Sequence, residues 1–270
     1  MSSNPQFAPL LSRAVVAIDG PDWRAFLQGL LSQDVETMAV GELRFAALLT
    51  PQGKLLFDLF VLAAENGCLL DVAADRQADL IERLTLYRLR AKVEITASPV
   101  SVGAVWGLEA LPGFIPDPRL PELGLRAYGK DTPAALPLAD EAAYNAYRLD
   151  LGVPDPARDA EPDKTYPIEA NFDLLNGIDF KKGCFVGQET TSRMKRRGQI
   201  KTRMLPIAFE GPSPDLGQEV LNGDLRAGTV LTGQGGRAMA LLRLDRLDGP
   251  LSVDGQAVTV VWPDWMPRPA

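Results

Sequence analysis

Residues 43–73 read LRFAALLTPQGKLLFDLFVLAAENGCLLDVA, and this stretch decides the fold class. Two apolar runs, Leu43–Leu49 and Leu55–Leu62, flank Thr50-Pro51-Gln52-Gly53-Lys54, the punctuation of a hairpin. Asn66-Gly67 marks a second turn, after which Cys68–Ala73 continues as a third strand. Upstream, Arg13–Ile18 reads as a strand ending at Asp19-Gly20. Pro21 stands where a proline opens a helix, and Trp23, Phe26, Leu27, Leu30 and Leu31 follow on one helical face as core. Downstream, Asp75 is placed to cap a helix carrying Leu80, Ile81, Leu84 and Tyr87, and KVEIT at 92–96 alternates as a further strand. The order β-α-β-β-β-α-β lays helices on one face of antiparallel strands, an α+β architecture.

Further along, Ser101–Trp106 reads as a strand within a Pro- and Gly-rich stretch, and Asp140–Leu151 as a helix stopped by Gly152-Val153-Pro154. Beyond Lys201 the pattern changes to short apolar runs at Leu205–Phe209, Glu219–Leu221, Gly228–Leu231, Met239–Leu244 and Ala257–Trp262, separated by Gly, Pro and Asp turns. Such spacing predicts a small β-barrel or sandwich. A domain boundary is therefore expected near residue 200, with residues 1–200 as the α+β region and 201–270 as the barrel.

Composition narrows the chemistry. The chain has 270 residues, 46% apolar and 23% charged, enough for one large domain or two to three small ones with a real core. It contains no histidine, which removes Ser-His-Asp and Cys-His catalysis, HExxH zinc sites and histidine-held haem. Its two cysteines, Cys68 and Cys184, form no CxxC motif, and one chain cannot surround an iron–sulfur cluster with cysteine alone. No metal-ligand set is assigned. The segment MSSNPQFAPLLSR lacks a signal-peptide pattern, and no 18-residue apolar run suggests a membrane span. The expectation is a soluble cytoplasmic protein.

The net charge of −7 hides a local reversal. Between Lys181 and Arg203 eight basic residues face a single acid, Glu189, so that segment is +7 and the remainder −14. It lies in YPIEANFDLLNGIDFKKGCFVGQETTSRMKRRGQIKTR, residues 166–203, the most informative part of the chain. Gly183 and Gly187 bracket Cys184-Phe185-Val186, and glycines there allow close backbone approach. Lys181 and Lys182 precede the cysteine, while Gln188 and Glu189 begin a helix carrying Arg193. Cations and a helix N-terminus both favour a thiolate, so Cys184 is expected to be the reactive cysteine. Cys68, inside CLLDV, reads as a small buried hydrophobe.

KGCFVGQE resembles the K-G-C-[FY]-x-G-Q-E signature of the YgfZ-type folate-binding proteins, members of the glycine-cleavage T-protein (aminomethyltransferase-like) superfamily. Supporting blocks are Phe26-Leu27-Gln28-Gly29 with Gln33-Asp34-Val35, Pro51-Gln52-Gly53-Lys54 to Asp58, Tyr147-Arg148 with Gly152-Val153-Pro154, Pro167-Ile168-Glu169-Ala170-Asn171, and Arg193 after the signature. They lie in order across residues 26–203.

The resemblance implies two α+β subdomains and a C-terminal small β-barrel around a central cavity for tetrahydrofolate. It implies an accessory role in iron–sulfur cluster assembly or repair, with client enzymes, including tRNA-modifying ones, and assembly proteins as partners. Cys184 is the implied reactive group. Folate-contacting candidates fall at Arg148, Asp150, Glu169, Asn171, Lys182, Gln188, Glu189 and Arg193. Asp150 takes the place of a pterin-contacting acid, and the basic cluster suits folate's anionic tail.

One departure bears on activity. The aminomethyltransferases carry two adjacent acids after a glycine turn, whereas this chain has Phe57-Asp58 there. A tetrahydrofolate-dependent aminomethyl or one-carbon transferase is therefore the alternative reading, dependent on Asp58 or Asp150. A tRNA-binding module using residues 181–203 ranks last, because the segment offers only Phe180 and Phe185 for base stacking.

Overall fold

The computed structural model describes residues 4–130, 132–198 and 200–268. Its elements in order are β1 (Gln6–Pro9), β2 (Arg13–Asp19), α1 (Trp23–Gln28), β3 (Leu43–Leu49), β4 (Leu55–Ala64), β5 (Gly67–Ala73), α2 (Gln77–Arg88), β6 (Glu94–Ser98), β7 (Val102–Trp106), β8 (Ile115–Pro116) and β9 (Leu125–Tyr128). There follow α3 (Glu141–Asp150), α4 (Pro156–Asp159), α5 (Gln188–Arg197), β10 (Thr202–Phe209), β11 (Glu219–Asn222), β12 (Leu225–Gln234), β13 (Arg237–Arg243), β14 (Leu251–Val253) and β15 (Gln256–Val260).

These strands form three sheets. The first is antiparallel in the order β3-β4-β5-β2-β6, the second runs β1-β7-β9-β8, and the third closes as a six-stranded barrel, β10-β13-β12-β11-β14-β15. Apolar runs without alternation in β3 and β4 have a simple cause: both faces of the first sheet are buried. Ala46, Leu48, Leu59 and Val61 pack under α1 and α2 with Trp23, Leu27, Leu80 and Leu84. Phe45, Ala47, Leu49 and Phe60 face the other way, towards Leu149 of α3 and the chain between α4 and α5. Phe172 from that chain stacks on Phe45 with ring centroids 4.5 Å apart.

Local departures from the sequence reading are few. Helix α1 stops at Gln28, and Leu30 and Leu31 lie in the turn beyond it, still buried in the first core. Asp75 caps nothing, because a 3₁₀ turn over Ala74–Arg76 leads into α2. Asp140 does cap α3, accepting from the Ala143 N–H. Strand β1, unmarked by any turn signal, was not foreseen; it adds to β7. No helix among the described residues is long and apolar enough to cross a membrane.

The first two sheets are bolted together by buried charge. Asp71 of β5 receives Arg13 Nε at 2.6 Å, Arg126 Nη2 at 2.5 Å and the Tyr128 hydroxyl at 2.9 Å. Arg13 also reaches Asp58 of β4 at 2.8 Å. Arg119 holds Asp117 through two hydrogen bonds of 2.9 and 2.8 Å, and Arg126 stands 3.6 Å from the same carboxylate. The Phe60 ring lies beneath the guanidinium groups of Arg126, Arg119 and Arg13, at 3.8, 4.9 and 5.7 Å. Burial pushes the Asp71 carboxyl up, but Arg13 and Arg126 outweigh it and hold it below the usual carboxylate range. Asp117 is held low in the same way, chiefly by Arg119.

Asp71→Asn is expected to destabilise the chain by about 3–5 kcal/mol in denaturant titration, since it leaves two buried guanidinium groups short of a counter-charge. Native stability within about 0.5 kcal/mol of wild type would show that the network does not hold the junction. Because these two carboxyls bind protons less readily folded than unfolded, their contribution is complete well above the unfolded value of about 4 and is lost as pH falls through their lower folded values. Acid titration of the wild type should therefore steepen below about pH 4.

Candidate functional site

The chain from Ala160 to Gly187 carries no regular element, yet it is tightly stitched to the first sheet. Ser32 is the central stitch: its hydroxyl donates to Gly177 O at 2.6 Å and accepts from Ala47 N, while its own carbonyl accepts from Asp179 N. Asp179 Oδ1 then accepts from the Lys181 and Lys182 N–H groups, turning the chain into the cysteine loop.

Lys182 points inward rather than towards a ligand. Its ammonium donates to the carbonyls of Gln28, Leu31 and Gln33 at 2.7, 2.6 and 2.9 Å, at and just beyond the end of α1. Burial pulls its pKa down to about 8, against the upward pull of Asp34, Asp179 and Glu36. On the far side of the loop Phe185 is buried, and Val186 N donates to Gly29 O at 3.1 Å.

Two glycines then interlock. Gly187, at φ +81°, would place a Cβ 2.7 Å from Thr50 O and 2.9 Å from Gly53 Cα. Gly53, in the β3–β4 turn and also at +81°, would place one 2.9 Å from Thr190 Cβ and 3.0 Å from Gly187 O. Positive φ and close approach both require glycine here. Gly183 is different, for a Cβ there would meet open space.

Cys184 stands exposed between these anchors. It belongs to one loop-and-helix unit with Gln188, Glu189 and Arg193, the last two exposed. The basic segment is less free than its sequence suggests. Lys182 and Arg203 are buried, Arg203 is bonded to Ile168 O, Asn171 and Asp173, and Lys195 stands 3.6 Å from Asp173.

The other sequence candidates lie elsewhere. Asn171, fully buried at φ +62°, donates to Met204 O at 2.8 Å and accepts from Arg203, fastening the segment to β10. Glu169 accepts from Tyr166 N at 2.8 Å; burial raises its pKa, with Tyr166 N–H and Lys54 pulling back. Arg148 is buried between Asn145, Val153 O and Asp159. Asp150, at the exposed end of α3, pairs with Arg237 of the barrel at 2.8 Å. Cys184, Gln188, Glu189 and Arg193 thus share one loop-and-helix unit, whereas Arg148, Asp150, Glu169, Asn171 and Lys182 are engaged in bonds elsewhere.

Sequence reasoning missed the charge cluster at the sheet junction. Two cavities share Asp58 there, one of about 170 Å³ under Phe57 and Arg76, the other of about 30 Å³ beside Arg13, Arg119 and Arg148. Cys184 lines neither. The available signal was a charge inside each apolar strand: Asp58 in LLFDLF, Asp71 in CLLDVA and Arg126 in LRAY. Pockets that enclose small molecules span about 300–1,000 Å³. Neither cavity alone reaches that size, and the walls of the smaller are already ion-paired.

Comparisons with known proteins agree with this geometry in part. The pattern of the CAF17 C-terminal beta-barrel domain matches residues 201–268. The chain is 31% identical to the mouse (Mus musculus) protein named iron-sulfur cluster assembly factor IBA57, mitochondrial, over 96% of this chain and 84% of the relative. It is 32% identical to the human (Homo sapiens) protein of that name, over 94% and 83%. In three dimensions it resembles the glycine cleavage system aminomethyltransferase T of Bartonella henselae, with TM-score 0.76 and 16% identity over 98% of this chain and 87% of the other, which shows a shared fold. These findings show the T-protein fold and do not single out the YgfZ type. They correct the cytoplasmic expectation, because the IBA57 relatives are named as mitochondrial.

Lys182→Met should cost about 1–3 kcal/mol in urea unfolding, because three carbonyls lose their buried donor. Cys184→Ser, at an exposed position, should stay within about 0.5 kcal/mol of wild type. Equal stability of the two variants would refute the anchoring described for the loop.

Proposed function

The chain belongs to the IBA57 family of iron–sulfur cluster assembly factors, and on that premise we propose that it is an accessory protein of cluster assembly in which the Cys184 thiolate lends one ligand to a cluster shared with a partner. The observation that carries this reading is an exposed cysteine at the apex of a loop pinned on both sides. A group meant only for packing is rarely left in solvent on so rigid a mount.

Among the described residues no three His, Cys, Asp or Glu side chains stand close enough to hold a metal ion. The cluster is therefore cargo, and its remaining ligands come from another protein or from a small thiol. The step is a ligand exchange. The Cys184 sulfur bonds to one cluster iron as its thiol proton leaves, the iron–thiolate bond to the donor breaks, and the departing thiolate takes up that proton. Neither iron nor sulfur changes oxidation state. Arg193 and Lys181, exposed on the same unit, offer positive charge to the net negative charge of a thiolate-ligated cluster.

Tetrahydrofolate enters no step, given the size of the central cavities. An aminomethyl transferase has less support still. Phe57, buried beneath the Arg76 guanidinium at 4.4 Å, occupies the place of the first acid, and Asp58 is committed to Arg13. The compartment follows the relatives, and a mitochondrial-type assembly pathway is the setting the reading adopts.

In a strain deleted for this chain, Cys184→Ser should fail to restore the activity of iron–sulfur enzymes, while Cys68→Ser restores it. Cys68 is buried and its thiol is pushed well above the ordinary range by burial, then by Asp19. Full restoration by Cys184→Ser would remove the proposed role. Calorimetric titration with tetrahydrofolate should give no saturable heat; tight one-to-one binding would show that the junction opens into a cofactor site.

A further inference from the structure

A third cavity lies apart from the Cys184 loop and from the ion-paired junction. It measures about 390 Å³, more than either central cavity, and sits where the end of α3, the turn before β9 and the segment after β15 meet. Volumes of this size at the junction of separate parts of a fold are typical of small-molecule sites, which span about 300–1,000 Å³. The wall is fixed in place. Gly152, after α3, approaches the segment so closely that a Cβ there would stand 2.5 Å from Pro263 Cγ.

The lining specifies a ligand by what it lacks. Trp262 and Trp265 form part of it, but both indole N–H groups are spent inside the chain. Trp265 donates to Leu151 O at 2.8 Å and Trp262 to Met266 O at 2.9 Å. The rings thus offer the cavity carbon and π density, and no donor. The other polar side chains of the lining are the carboxylates of Glu122, Asp150 and Asp264; no lysine or arginine lines it. Asp150 is answered by Arg237, but Glu122 and Asp264 are exposed and have no ion pair among the described residues. An anion would meet three like charges there. A bare metal ion would gain nothing from indole and aliphatic walls. A cation on a hydrocarbon stem satisfies both parts, with its charge beside the carboxylates and the rings and its stem against the apolar wall.

We infer that this junction binds an alkylammonium group, presented either by a free polyamine or by a lysine side chain of a partner protein. The site is independent of Cys184.

The test is calorimetric titration of the full chain with spermidine and, in a second arm, with the blocked peptide acetyl-Gly-Lys-Gly-amide, each at constant ionic strength with sodium chloride as the blank. The comparison variant is Glu122→Gln with Asp264→Asn, both exposed and outside the described side-chain hydrogen bonds, its fold checked by circular dichroism and unfolding midpoint. Saturable binding in at least one arm is expected, weakened about tenfold in the double variant by the loss of two exposed charge contacts, and unchanged in Cys184→Ser. Binding of spermidine alone assigns the site to a free polyamine; binding of the peptide alone, or more tightly, assigns it to a lysine side chain. Absence of saturable binding in both arms into the millimolar range, or equal binding by the double variant, overturns the inference.

Discussion

Asp71 is fully buried, and two arginines from two sheets depend on it. A carboxylate so placed is tolerable only when fully paired, and each guanidinium beside it is tolerable for the same reason. The two sheets therefore have to meet in one register, with β2, β4 and β5 presenting charge to β9 and its preceding loop. The same pairing fills the space between them. Between them the chain holds ion pairs and small cavities.

At the surface the cysteine proposed as a cluster ligand sits on a well-anchored mount. Ser32, Lys182 and the paired glycines Gly53 and Gly187 each tie the cysteine loop to a different piece of the first α+β unit. Asn171 and Arg203 tie the same segment to the barrel. Loop geometry is thereby set by the packed core beneath it, so Cys184 can be exposed without the loop itself being loose. A thiolate that must meet a cluster held by another molecule benefits from this arrangement, because less ordering is required at the moment of contact.

Much of the fold was legible because its signals are local. The hairpin turn around Gly53, the helix from Asp140 and the apolar runs of the barrel announce themselves within a few residues. The α+β class with a closing barrel follows from them, and the family signature around Cys184 pointed to iron–sulfur assembly. The site's interior was less legible because its partners are distant in sequence. Nothing near Lys182 tells that its ammonium serves carbonyls about 150 residues earlier. Asn171 looks like a ligand until its amide is found bonded to Met204 and Arg203. Arg203 likewise reads as surface charge and proves to be a buried tie. In each case the partners of a polar side chain at a seam lie far away in sequence, beyond the reach of local signals.

The central claim is that one exposed cysteine of this chain ligates a shared cluster. The most direct measurement is anaerobic reconstitution of the purified chain with ferrous iron, sulfide and glutathione, followed by visible absorption and Mössbauer spectroscopy of the protein fraction. The account predicts a protein-bound cluster in the wild type, dependent on the small thiol and absent from Cys184→Ser. A cluster of the same yield and spectrum on Cys184→Ser, or none on the wild type, would contradict it.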